Sequence, residues 1–268
     1  MRPLSLSLSR KGREDRKPRS IAEKVVWSKR SSLPPLWERV RVRGVSFVLH
    51  PYDTEPFDLT IGSQHLTLLR VKDLERWVDR EALLRDEAEE PPYWAHLWTG
   101  ALTLARYVEK RLDCRNLNIL DLGCGLGLTG IVASLKGGQV TFADKEPPAV
   151  AFATMNAQLN NCPFFEARTL DFTRDTLDAQ FAFILGAEIL YDRPTFLSLV
   201  SFLRRHLAPQ GSAIFSDARR TNTDEFYRQL DKTGLHWTRE EIPEREDKLP
   251  LSVGIVTIRK PPRENDSG

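Results

Sequence analysis

A glycine-rich turn behind an acidic residue is the segment of this chain best suited to chemistry. Asp121 ends an apolar run, and Gly123, Gly125 and Gly127 follow at alternate positions before a predicted helix. Glycine adopts backbone angles that other residues rarely reach, and its missing side chain lets a ligand approach the backbone. The first N–H groups of a helix attract negative charge. The turn therefore predicts a site for a carboxylate or phosphate attached to a nucleoside.

Two acidic residues indicate which nucleoside cofactor this turn would bind. Gly125, Gly127 and Gly130 also fit the G-x-G-x-x-G pattern of dinucleotide sites, so the spacing alone does not exclude NAD. Asp121 would repel a pyrophosphate but attract an ammonium group, and S-adenosylmethionine carries an ammonium group and no phosphate. Asp144 ends the next apolar strand, where a carboxylate accepts hydrogen bonds from a ribose in either cofactor class. Asp121 therefore favours S-adenosylmethionine.

A second group of reactive side chains follows a later apolar run. Glu188, Tyr191 and Asp192 come just after a predicted strand over 181–186. Ligands of parallel α/β sheets bind outside the carboxyl ends of the strands. An acidic residue there can orient an amine and stabilise the charge that develops in a transition state. Glu188 and Tyr191 are therefore the candidate catalytic residues, with Glu188 orienting the substrate and Tyr191 offering a hydroxyl contact or a pocket wall.

Alternating strands and helices would position these residues. The predicted strands cover 117–121, 139–143, 164–168, 181–186 and 212–217, and the predicted helices cover 127–136, 147–160, 194–207 and 222–233. This order argues for a parallel sheet with helices on both faces. Two last strands, 235–240 and 251–258, are expected to pair antiparallel across a charged loop at 241–248. The predicted fold class is an α/β, Rossmann-like three-layer sandwich with a mostly parallel seven-stranded sheet that ends in an antiparallel hairpin.

The amino-terminal part carries different elements. Residues 57–61 and 66–71 alternate in polarity around Gly62 and Ser63, which predicts a β-hairpin, and a helix is expected from Asp73 to about residue 84. The predicted organisation is a basic, disordered extension over 1–44, a hairpin and helix cap over 45–91, the cofactor-binding domain over 92–260 and a polar tail over 261–268.

The charge of the chain is unevenly distributed. Residues 1–44 hold 13 lysines and arginines and four acidic residues, so they contribute +9 to a net charge of +2 and the remainder carries −7. The acidic body argues against nucleic-acid binding, whereas the basic extension could contact RNA or have no function. No apolar run is long enough to cross a membrane, and three cysteines without a CxxC pair fit the cytoplasm. The five histidines lack metal-ligand spacing, so no metal is expected.

Four segments together resemble a known family. Residues 119–130 resemble motif I of the class I S-adenosylmethionine-dependent methyltransferases. Three other segments resemble the branch of that family that contains the seven-strand protein-lysine methyltransferases (methyltransferase family 16 type) and their bacterial relatives. These segments are Pro92 to Trp98, the stretch with Asp144, Asn156 and Asn160, and Gly186 to Asp192. The likeness covers about residues 57–258.

The resemblance implies a set of cofactor contacts. The residues at the matching positions are Trp98, Asp121, Gly123, Cys124, Gly125, Asp144, Asp171, Phe172 and Ala187. By this resemblance Asp144 would hold the ribose, Asp171 would accept the adenine amino group and Phe172 would stack on the adenine. Phe172 stands where relatives often have tryptophan, which stacking tolerates. Glu188 replaces the usual aspartate, and its extra methylene puts the substrate in question more than the chemistry.

The resemblance also implies the reaction, which is methyl transfer from S-adenosylmethionine to the amine of a protein lysine. Such an in-line displacement requires an aligned, unprotonated nucleophile and the exclusion of water. A small-molecule amine as acceptor is one alternative, and a module that only binds the nucleoside cofactor is another. Specificity is carried by loops at the edge of a rigid scaffold, so we expect the amino-terminal hairpin and the 241–248 loop to recognise the substrate.

Overall fold

The computed structural model describes residues 40–42, 45–47, 52–77, 92–219 and 222–261. Most of the predicted extension over 1–44 and of the tail over 261–268 lies outside the described residues. Of the helix expected from Asp73, the structure describes a 3-10 turn at Leu74–Trp77, and the rest lies outside the described residues. The domain boundaries themselves stay a prediction.

The described residues form eleven strands and five α-helices. The strands are β1 (Val40–Val42), β2 (Val45–Phe47), β3 (Thr54–Ile61), β4 (Gln64–Val71), β5 (Asn118–Leu122), β6 (Gln139–Asp144), β7 (Phe165–Thr169), β8 (Phe181–Ala187), β9 (Leu207–Asp217), β10 (His236–Glu246) and β11 (Leu249–Arg259). The helices are α1 (Thr99–Arg111), α2 (Leu128–Leu135), α3 (Pro147–Leu159), α4 (Phe196–His206) and α5 (Asp224–Lys232), and short 3-10 turns lie at Tyr93–Ala95 and Arg193–Thr195.

The main sheet has seven strands in the order β10-β11-β9-β8-β5-β6-β7. The five strands from β5 to β9 pair parallel to their neighbours, whereas β11 pairs antiparallel with both β9 and β10. Two antiparallel hairpins, β1–β2 and β3–β4, form separate two-stranded sheets. The predicted fold class is therefore confirmed, including the closing antiparallel hairpin.

The core lies on both faces of the main sheet. Successive strand residues point to opposite faces, and neighbours such as Leu185 and Ile184 accordingly belong to different clusters. Helices α1, α2 and α3 cover the Leu185 face, and α4 and α5 cover the Ile184 face. This arrangement is the predicted three-layer sandwich. No helix in the described part of the chain is long and apolar enough to span a membrane.

The predicted charged loop at 241–248 is wrong. Residues 241–246 continue β10 and pair with residues 249–254 of β11. Only Asp247 and Lys248 make the turn, both in the left-handed region with φ of 47° and 69°. The alternation of exposed and half-buried residues along β10 is that of a strand. The prediction failed because the charged composition was taken as the sign of a loop, although the alternation of residue burial is that of a strand. A strand tolerates charged side chains on an exposed face of the sheet.

Candidate active site

The candidate site is the crevice between the carboxyl ends of β5 and β8. These two strands are adjacent, yet the chain leaves β5 towards β6 and leaves β8 towards β9, on the opposite side. Such a reversal of strand order opens a crevice, where α/β sheets bind their ligands. The glycine-rich turn follows β5 and Glu188 follows β8. A Cβ placed on Gly123 would lie 2.7 Å from Cγ2 of Ile189, so the two connections touch.

The glycine-rich turn has the backbone that its sequence predicted. Gly123, Gly125 and Gly127 all lie in the left-handed region, with φ of 65°, 51° and 84°, where side chains other than glycine are strained. Close neighbours also require glycine here. A Cβ on Gly125 would lie 2.8 Å from the carbonyl oxygen of Trp94. The segment before α1 therefore crosses directly over the turn.

Two buried carboxylates accept N–H groups of the glycine-rich turn and of the helix that follows it. Asp121 Oδ2 accepts the Gly130 N–H at 2.9 Å, and Asp144 accepts the N–H groups of Gly125 and Glu146, each at 3.0 Å. Burial raises the pKa of Asp121 to about 7, and the Asp144 carboxylate adds to that rise. Burial also raises the pKa of Asp144. A ligand with positive charge would relieve the cost of ionising these two groups.

Aromatic side chains border the mouth of the crevice. Tyr93 and Tyr191 are both 41% exposed, with ring centroids 6.0 Å apart. Trp98 lies 6.2 Å from the Tyr93 ring and donates its Nε1–H to the Tyr93 carbonyl at 3.0 Å. We call Tyr93, Trp98 and Tyr191 the aromatic rim. Tyr93 was missed from the sequence, because its exposure and its contact with Tyr191 depend on two segments far apart in the chain.

Glu188 occupies a strained position directly after β8. Its φ is 55°, although it is not glycine. Its N–H donates to the Ser216 carbonyl at 3.0 Å, and its Oε2 accepts the Ala218 N–H at 3.3 Å. A Cβ on Gly100 would lie 2.2 Å from Oε1 of Glu188. The carboxylate therefore packs against the first turn of α1, where the helix favours negative charge. Gly100 is a second residue that sequence analysis missed.

Asp171 and Phe172 lie in the connection after β7. Asp171 accepts the N–H and hydroxyl of Thr173, at 3.0 and 2.6 Å, and Nε of Arg174 at 2.7 Å. Although burial opposes it, these hydrogen bonds hold the pKa of Asp171 below its usual value. Phe172 packs edge-on against Phe202 at 6.4 Å. In this structure Asp171 closes its own loop, and the adenine contacts of both residues stay predictions.

Asn156 of α3 and Asn160, which directly follows that helix, attach the β3–β4 hairpin to the domain. The Asn156 amide accepts the Leu69 N–H at 2.7 Å and donates to the carbonyls of Leu69 and Leu126, at 3.1 and 2.9 Å. Asn160 makes the same paired contact with Thr67, at 3.1 and 2.8 Å. We call Asn156 and Asn160 the amide clamp. Because Leu126 belongs to the glycine-rich turn, the clamp joins that turn to the hairpin.

Comparison with known proteins agrees with this geometry. A family model described as lysine methyltransferase matches residues 79–233. Mouse EEF1A lysine methyltransferase 3 is 30% identical over 166 residues, covering 59% of this chain and 70% of the mouse protein. Protein N-lysine methyltransferase METTL21A of Xenopus tropicalis is 33% identical over 172 residues, covering 61% of this chain and 77% of the frog protein.

A solved structure shares the fold. The TehB-like S-adenosylmethionine-dependent methyltransferase of Corynebacterium glutamicum superposes with a TM-score of 0.50 and 18% identity, over 70% of this chain and 98% of that one. At this identity the likeness concerns the architecture alone, which is the arrangement of sheet and helices described above.

Proposed function

This chain belongs to the lysine methyltransferase family, and we propose on that premise that it methylates the side-chain amine of a lysine in a protein. It is an S-adenosylmethionine-dependent methyltransferase. The observation that carries the proposal is the juxtaposition, across the crevice between β5 and β8, of a glycine-rich turn over buried carboxylates and of an acidic side chain beside an aromatic rim. The first half suits the methyl donor and the second half suits a cationic acceptor.

The turn side of the crevice fits S-adenosylmethionine. The glycines keep the backbone accessible, and the buried carboxylates Asp121 and Asp144 have raised pKa values that a cationic ligand would offset. When bound, the cofactor supplies an electrophilic methyl group on a sulfonium. The residues that we propose to hold it are Trp98, Asp121, Gly123, Cys124, Gly125, Asp144, Asp171, Phe172 and Ala187.

Glu188 and Tyr191 are the residues that we propose for the acceptor side. A carboxylate can orient a lysine amine and stabilise the positive charge that the nitrogen gains during transfer. The rings of Tyr93 and Tyr191 at the mouth form an apolar wall that suits the methylene chain of lysine and shields the amine from water. No covalent intermediate is needed, so alignment of donor and acceptor is the main contribution of the protein.

The names of the relatives support a protein rather than a small molecule as acceptor. EEF1A lysine methyltransferase 3 and METTL21A are both named as enzymes that act on protein lysines. For location we propose the cytoplasm, because Cys114, Cys124 and Cys162 are all free and buried, which suits a reducing compartment.

Tritiated S-adenosylmethionine and a host lysate, resolved by size, test the proposal. We expect label in a discrete protein band and a slower but measurable rate of labelling with Glu188→Ala, while calorimetry shows unchanged cofactor binding. Asp178→Ala serves as a control, because Asp178 is an exposed acid near the amino end of β8, away from the crevice. Label confined to small molecules would refute the protein acceptor, and full activity of Glu188→Ala would refute the role of Glu188.

A further inference from the structure

A buried ion pair lies next to the backbone segment that contacts Glu188. Asp217 ends β9 and Arg239 lies on β10, and their side chains are 4% and 8% exposed. Asp217 Oδ2 accepts Arg239 Nη1 at 2.7 Å, the Tyr227 hydroxyl at 3.0 Å and the Thr223 hydroxyl at 3.2 Å. Buried charges are costly unless such partners satisfy them. Asp217 has three such partners, and the cofactor and acceptor roles assigned above do not explain why this ion pair is present.

The ion pair holds the same peptide group that contacts Glu188. Arg239 Nη2 donates to the Asp217 carbonyl at 3.0 Å. The N–H of that same peptide belongs to Ala218 and donates to Glu188 Oε2 at 3.3 Å. A peptide group is planar, so a hold on its carbonyl also orients its N–H. Hydrogen bonds in such a chain polarise one another, which strengthens the donor presented to Glu188.

We propose that Arg239 and Asp217 are positioning residues for Glu188. Arg239 binds the carbonyl of the peptide between Asp217 and Ala218 and thereby fixes the position of the Glu188 carboxylate. This inference rests on the role of Glu188 given under the proposed function. It also assigns a task to the closing hairpin, since Arg239 brings β10 into the support of the site.

The shape of the guanidinium explains why arginine stands here. Nη1 binds the Asp217 carboxylate, Nη2 binds the Asp217 carbonyl, and Nε binds Glu241 at 2.6 Å. A lysine ammonium keeps the charge but not this planar fork. A Cβ on Gly254 would lie 2.0 Å from Cζ of Arg239, so the guanidinium packs on bare backbone.

Arg239→Lys tests the proposal with the lysate protein fraction as methyl acceptor. We expect the initial rate at saturating S-adenosylmethionine to fall by roughly 10- to 100-fold, because small misplacements of an aligning group cost that much. Calorimetry should show an unchanged dissociation constant for the cofactor. Gly254→Ala should act the same way, since the added methyl displaces the guanidinium without removing a polar group. Arg111→Lys, at an exposed ion pair with Glu240 on the same hairpin, is the control and should leave the rate unchanged.

A double-mutant cycle separates positioning from general support. If Arg239 acts through Glu188, Arg239→Lys should have no further effect in a Glu188→Ala background. An equal fold-loss in both backgrounds would overturn this inference while leaving the proposed function intact. Full activity of Glu188→Ala alone would overturn this inference together with the proposed role of Glu188, and label confined to small molecules would overturn the protein acceptor. If Arg239→Lys does not fold, Gly254→Ala goes through the same cycle with the same expected result.

Discussion

Two hairpins are attached to this domain by opposite chemistry. The β3–β4 hairpin is held by the amide clamp, whose uncharged side chains pair with the backbone of Thr67 and Leu69 as a neighbouring strand would. The β10–β11 hairpin extends the main sheet through the ladder between β11 and β9. Two ion pairs add to this ladder, the buried Arg239–Asp217 pair and the more exposed Arg106–Glu244 pair, and we call them the charged attachment.

The difference follows the electrostatics of the crevice. The amide clamp reaches the glycine-rich turn, above two buried carboxylates whose pKa values are already raised. Another anion there would be repelled, and a fixed cation would compete with the ammonium of the cofactor. On the other side of the crevice, Arg239 binds the peptide group whose N–H donates to Glu188, the acid proposed to face an amine. Glu246 of β10 accepts the Thr99 hydroxyl at the start of α1, at 2.8 Å. The molecule thus uses neutral hydrogen bonds on the donor side and ion pairs on the acceptor side.

Giving the amide clamp a charge should have the largest effect on stability. Asn156→Asp keeps the shape but loses both donated hydrogen bonds and directs a buried carboxylate at the carbonyls of Leu69 and Leu126. We expect the free energy of unfolding to fall by about 3–5 kcal/mol, measured by urea denaturation at pH 8. Asn160→Asp is the matched control and should cost less, because Asn160 is partly exposed. Equal losses in the two variants would show that a charge next to the glycine-rich turn costs no more than a charge at the partly exposed end of the amide clamp.

Removing a carboxylate from the donor side should have the reverse effect on stability. A carboxyl group with a raised pKa stabilises the fold below its unfolded pKa of about 4, and that contribution disappears as the pH rises through about 7. Asp121→Asn should therefore stabilise the cofactor-free protein at pH 8, by on the order of 2 kcal/mol, and have little effect at pH 4. Chemical denaturation at the two pH values measures this.

The same variant should weaken the cofactor. In the native chain, affinity for S-adenosylmethionine should fall as the pH drops below about 7 and Asp121 gains a proton. In Asp121→Asn the affinity should be lower by roughly tenfold or more, as for loss of a charge-assisted hydrogen bond, and nearly independent of pH. Calorimetry that shows the same pH dependence in both proteins would remove Asp121 from the cofactor site.

Much of this could be predicted from the sequence because the signals are local. Alternation and helical periodicity placed β6 at 139–143, against Gln139–Asp144 in the structure. The left-handed turn could be predicted because glycine adopts this conformation without strain, as it does at Gly123, Gly125 and Gly127. The same pattern-based logic failed at 241–248, where a charged composition concealed a regular strand.

What could not be predicted depends on residues far apart in the chain. Asn156 and Leu69 are 87 positions apart, and the spacing of asparagines on a helix does not name a backbone partner in a hairpin. Arg239 and Asp217 sit on different strands, and their pairing needs the register of β9, β10 and β11. Tertiary packing determines these contacts, whereas propensity and spacing describe single elements.

A methyl group at the start of α1 tests the acceptor side of the crevice. Gly100→Ala would place a carbon 2.2 Å from the present position of Glu188 Oε1 and displace the carboxylate. We expect turnover to fall about tenfold with unchanged cofactor affinity, although alanine is the better helix former. Gly234→Ala is the control, because nothing lies within 4 Å of the added methyl while its φ of 71° strains alanine. It should lower the melting temperature and spare turnover.

The smallest effect is expected where the charged attachment is exposed. The side chains of Arg106 and Glu244 are 49% and 19% exposed, and the guanidinium lies 2.9 Å from the carboxylate. Solvent and salt screen such a pair, so Arg106→Gln should cost less than about 1 kcal/mol. That cost should shrink further in high salt, as measured by thermal denaturation. Thr103 also donates to Glu244, at 3.0 Å, and keeps the carboxylate hydrogen-bonded in the variant. A loss as large as that of Asn156→Asp would mean that the exposed charges of β10 contribute as much to the stability of the fold as the amide clamp does.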